Sequence, residues 1–166
     1  MQKIKDRVVL GVVAGLSANL IKQTIEWAAY NQKISLEVGA DKAAGFLLPH
    51  YMIRTKMGRC IGLAADSTIA ACLGMFGAYF LTFTGKDHPL LKGLCIGNAT
   101  WTIVYGILTR MGVSSSVYRD KNTTAVAWLS HTAFGISKFF LLSKLGDPSL
   151  FGKPVWLQPR STRSSR

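Results

Sequence analysis

Four apolar stretches of near-spanning length divide the chain: residues 8–30, 60–83, 90–108 and 124–142. Each approaches the ~20 helical residues that cross a bilayer core. Residues 73–83 and 94–108 carry no charged side chain, whereas a water-soluble helix needs a polar face. The expected fold is therefore all-α: a polytopic membrane protein built as a four-transmembrane-helix bundle. Of the 166 residues, 49% are hydrophobic. Four spans leave no room for a separate soluble domain, so residues 1–146 are expected to form one transmembrane domain. The Pro-, Ser- and Arg-rich stretch 147–166 reads as a basic, disordered tail.

The first connection, residues 31–59, is too long for a simple turn. It contains Ala43–Ile53, mostly apolar, broken by Pro49 and His50 and too short to cross. The expectation is an interfacial or re-entrant helix between spans one and two. Thr84–Pro89 reads as a tight turn with Asp87 capping the third helix and Pro89 in its first turn. Helices two and three should then be antiparallel neighbours. Lys3, Lys5 and Arg7 precede an apolar run as in a secretory signal, but no A-x-A pattern follows. Asn19, Lys22, Gln23 and Glu26 continue at helical spacing instead, which predicts an uncleaved first span.

The net charge of +12 lies mainly in loops and ends. That placement fits orientation signals and contact with anionic lipid, and no aromatic-interleaved basic groove suggests nucleic acid. Lysines and arginines number ten on the side of the two ends and eight on the other. A multi-pass cell-membrane protein with both termini cytoplasmic is expected. Cys60, Cys72 and Cys95 make no C-x-x-C pair and read as small packing residues. No metal, cofactor or catalytic motif is indicated. G-x-S-x-G and H-E-x-x-H are both absent.

Small residues recur at helical spacing in every span. Gly11, Gly15, Gly74, Gly93, Gly97 and Gly135 are the candidate helix-packing positions, where backbones approach closely. The same pattern permits a homodimer. Lys22, Glu26, Asp66 and His131 interrupt the apolar runs at one depth. At ~1.5 Å per residue they lie ~12, ~6, ~9 and ~10 Å from the side of the first connection. Asn98 sits a little deeper. Ionisable groups at such depth face the protein interior and mark candidate sites. With neutral His131 the layer sums to −1, and with protonated His131 to zero. A desolvated layer short of one positive charge attracts a proton or small cation. Lys138 lies deeper and is expected to snorkel to the opposite surface.

The run Thr84-Gly85-Lys86-Asp87, then Leu90-Leu91-Lys92-Gly93-x-x-x-Gly97 with Trp101 and Tyr105-Gly106, resembles a pattern in small four-span membrane proteins of Gram-positive anaerobic bacteria. Ala14-Gly15, Asn19 and Lys22 resemble it too. The resemblance implies a bacterial cell membrane and no activity.

The residues thus point to a non-enzymatic membrane protein. Its ligand- or ion-binding candidates are Lys22, Glu26, Asp66, Asn98 and His131, in a transport or accessory role. The alternatives are a structural or pore-forming assembly protein and an intramembrane enzyme using Asp66 and His131. Membrane lipids and a second membrane protein are the expected partners.

Overall fold

The computed structural model describes residues 3–114 and 120–151. These residues are helical, with no strand among them. The long helices are α1 (Arg7–Asn31), α4 (Lys56–Thr84) and α6 (Lys121–Leu145). Two short helices, α2 (Gly39–Ala44) and α3 (His50–Ile53), lie between α1 and α4. Helix α5 (Pro89–Trp101) runs on into a π-helical segment, Thr102–Leu108.

Local sequence explains the starts. Asp6 accepts the Val9 N–H at 2.7 Å to cap α1, and Asp120 accepts the Asn122 and Thr123 N–H groups to cap α6. Hydrogen bonds from Thr123, side chain first and then backbone, and from the Asn122 N–H hold the Asp120 carboxyl below its ordinary value. Pro89 occupies the first turn of α5 as expected. The cap position, however, is His88 in a left-handed conformation at φ 51°, without a side-chain bond. Asp87 therefore does not cap it.

Helices α1, α4 and α6 are long and apolar enough to cross a membrane. The expected fourth span is not one regular helix. Its α-helical part is 13 residues, about 20 Å long against a core of about 30 Å. After Trp101 three β-branched residues, Thr102, Ile103 and Val104, follow in succession. Such residues crowd the preceding turn of an α-helix, and the Thr109 N–H reaches back five residues to the Val104 carbonyl.

Packing follows glycines. A Cβ on Gly74 would strike the backbone of Gly11 and Gly15, and one on Gly135 would strike Gly93 and Gly97. Hence α4 packs on α1, α5 packs on α6, and α1 packs on α6. The order across the molecule is α4–α1–α6–α5. Helices α4 and α5, expected as neighbours, flank the α1–α6 pair instead, because their glycine faces point to other partners. All three cysteines sit on outward faces as free thiols and do not fill the interior.

Space between the flanking helices is taken by α2. All six of its residues are buried, Asp41 and Lys42 included. It fits because Gly62 of α4 has no side chain where the Ala40 carbonyl approaches. The expected interfacial helix over Ala43–Ile53 is thus two short helices with a turn between them, and the buried one begins four residues earlier.

At the other end Leu10, Ala78, Leu81, Phe139 and Leu142 form an apolar cluster completed by Leu150 and Phe151. The Ile4 N–H donates to the Leu145 carbonyl at 3.0 Å and the Asp147 N–H to the Ile4 carbonyl at 2.9 Å. The two described ends therefore meet. Residues 147–151, expected to be part of a disordered tail, fold back as a short 3-10 turn (Pro148–Leu150). The apolar pair Leu150 and Phe151 has a core to bury against. Positions 152–166 lie outside the described residues.

Candidate functional site

Asn19, Lys22 and Glu26 share one face of α1, and all three are buried. Asp66 faces them from α4. The Lys22 ammonium lies 2.9 and 3.0 Å from the two Asp66 oxygens and 3.4 Å from Glu26 Oε2. Asn19 and Gln23 each donate an amide hydrogen to Asp66 Oδ2, at 3.0 and 3.2 Å. Glu26 accepts the Gly39 N–H of α2 at 2.8 Å and the Ser130 hydroxyl of α6 at 2.7 Å. Three long helices and α2 therefore meet through one buried cation and two carboxylates. A buried ion pair persists only when its remaining hydrogen-bonding positions are filled in this way.

His131 follows Ser130 on α6. Its Nδ1 lies 2.8 Å from the Ala127 carbonyl. A carbonyl only accepts, so Nδ1 carries the ring hydrogen and Nε2 of the neutral ring is an acceptor. The Tyr105 ring stands edge-on to it at 5.4 Å. Above the Tyr105 ring, at 5.2 Å from its centre, is the Lys42 ammonium, which pairs with Glu37 at 3.3 Å.

A cavity of about 50 Å³ adjoins these groups. Lys22, Asp66, Asn19, His131, Tyr105 and Lys42 all reach its wall. Asn19 Oδ1 has no hydrogen-bond partner among the described residues. The volume suits a few waters or one small polar ion and is far below the ~300 Å³ of a drug-sized pocket. Among the described residues no three His, Cys, Asp or Glu side chains cluster so as to cage a metal.

Lys22, Glu26, Asp66 and His131, expected at one depth, thus lie around one site. Asn98 does not join them: it donates to its own helix at Leu94 and meets Thr132 at 3.4 Å. It is on the α5 face toward the middle of α6. Lys138 does not snorkel. Its side chain is fully buried, its ammonium lies 4.6 Å over the Phe134 ring, and it has no hydrogen-bond partner among the described residues. Phe134 and Phe139 enclose it before it can reach the surface.

Sequence reading missed Glu37, Asp41 and Lys42, because a charged stretch between spans reads as a solvated loop. Gly39 was the available signal. A Cβ there would collide with Lys22 Nζ and Glu26 Oε2. Around the site the buried cations are now Lys22 and Lys42, against Glu26, Asp66, Glu37 and Asp41, with Lys138 buried farther along α6. Burial pushes the Asp41 carboxyl above its ordinary value of 3.8, against the nearby arginines Arg59 and Arg54. No protein family, curated protein or solved structure matches this chain.

Proposed function

We propose that this chain is a small cell-membrane protein that binds a proton or small cation in the cavity beside Asp66 and His131. In this reading α5 and the π segment together make a fourth crossing. Both ends face the cytoplasm, in line with the excess of basic residues beside them. The observation that carries the proposal is the cavity itself. Its polar wall holds the bonded Lys22–Asp66 pair and Lys42, and beside them the Asn19 amide oxygen, without a donor among the described residues, and the His131 ring, whose Nε2 accepts when the ring is neutral. These two acceptors recruit a donor: hydronium, ammonium or a small metal cation. Hydrolytic chemistry is a poorer match, because Ser130 is fully buried and its hydroxyl is committed to Glu26.

The test is thermal unfolding of purified protein in nanodiscs, across pH and across sodium, potassium and ammonium salts. Wild type should gain stability with one of these ions or with acid. Asp66→Asn should abolish the response, and His131→Gln should flatten its pH dependence. Two folded variants that respond like wild type would instead favour a second reading, in which the layer only fixes helix register. The complete hydrogen bonding of Asp66 and Glu26 is the observation behind that alternative.

A further inference from the structure

Tyr105 and Lys42 form a wall shared with a second hollow. A cleft of about 280 Å³ lies between the π segment, the start of α6 and Lys42. Its lining is rich in donors: the Arg110 guanidinium, the Lys42 ammonium, the Tyr105 hydroxyl and the Trp101 indole. Trp101 Nε1 is buried and has no hydrogen-bond partner among the described residues. Among the described residues no carboxylate lines the cleft. Glu37 compensates Lys42, so of those residues Arg110 supplies the net charge.

An apolar groove continues outward from this cleft. Gly106 and Arg110 belong to both, and Thr102, Ile107 and Met111 complete the groove. Ile107 and Met111 are exposed at 51% and 70%. Gly106 keeps the floor open: a Cβ there would meet only the Thr102 methyl, at 3.8 Å. The widened π turn joins cleft to groove at Gly106, and such turns often mark functional sites.

Resting on the membrane reading above, we propose that cleft and groove together bind one anionic phospholipid. The phosphodiester pairs with Arg110, and one acyl chain runs inward from there along Gly106 and Ile107 toward Thr102. Arg110 ends the helical run at the aqueous side. Trp101 starts ~13 Å deeper along the axis, but it lines the same cleft as Arg110, where its N–H meets an ester carbonyl below the phosphate. Arginine suits a phosphate through paired charge-assisted bonds. A choline headgroup would bring a second cation toward Arg110 and Lys42 and is disfavoured. A free phosphate would leave the apolar groove unused.

The test is native mass spectrometry of the full-length protein in detergent, offered phosphatidylglycerol, phosphatidylcholine, glycerol phosphate and inorganic phosphate. Phosphatidylglycerol should be retained about tenfold over phosphatidylcholine, whose choline cation is repelled by Arg110 and Lys42. Neither soluble phosphate should compete. Arg110→Gln should remove the preference and Trp101→Phe should weaken it several-fold. Gly106→Leu should displace the long-chain lipid. If Gly106→Leu loses its helical circular dichroism, the conservative Trp101→Phe decides. Equal retention of both lipids, or a preference that survives Arg110→Gln and Trp101→Phe, overturns the site. So does glycerol phosphate binding as tightly as the lipid. Release of the protein from membranes by an alkaline wash overturns the membrane reading and the site together. Membrane retention without lipid preference overturns the site alone.

Discussion

Asp41 shows what a single buried carboxyl does to stability. Among the described residues neither oxygen makes a well-formed hydrogen bond, and burial raises its proton affinity against the nearby Val38 backbone N–H. The folded protein then holds a proton that the unfolded chain releases above 3.8. The stabilisation is fully present below that value and is lost as pH rises through the raised one. Asp41→Asn should flatten this limb and make the protein more stable at neutral pH. Chemical unfolding between pH 4 and 8 reads the outcome, and an unchanged slope would refute it. Among single residues, the four at one depth were legible, because a charge inside an apolar run has few places to go. Asp41 was not, because nothing within α2 distinguishes a buried charge from a loop charge. Lys138 was misread because snorkelling depends on a clear path, and Phe134 and Phe139 come from tertiary packing.

At the scale of elements, glycine decides which helices touch. Gly11 and Gly15 meet Gly74, and Gly93 and Gly97 meet Gly135. Both stripes are consumed within one chain, so a homodimer would need another face. Gly74→Leu should cost about 3 kcal/mol or more, since it forces two backbones apart. Gly106→Ala, placed in open space, should stay within about 0.5 kcal/mol. Unfolding titrations in mixed micelles compare the two, and equal effects would contradict the packing described. The glycine stripes could be read from spacing, but their pairing could not. Spacing marks a face without naming its partner. The π segment was hidden for a similar reason: apolar content alone does not distinguish an i−4 from an i−5 ladder.

Across the whole molecule, the row α4–α1–α6–α5 leaves an opening that α2 fills from one end. The other end is closed by the clasp between Ile4 and Gly146 and by the Phe151 ring. Phe151 is 8% exposed and packs with Leu10. Phe151→Ala should cost about 3 kcal/mol. The same assay should show a lower unfolding midpoint, and wild-type stability would mean that the return of the chain after Gly146 is incidental. That return could be inferred from Leu150 and Phe151 only once a cluster was there to receive them.

The placement of the polar layer also sets an order of assembly. Lys22 is made first and is costly in lipid by itself. Its principal counter-charge is on α4, the next long helix, and Gly39 follows α1 directly. A nascent chain that has reached Thr84 already carries every charged partner of Lys22 and one backbone donor for Glu26. Only the Ser130 hydroxyl arrives with the final helix. On the membrane reading, insertion can proceed by hairpins, and the last helix closes the site around groups that have already found one another.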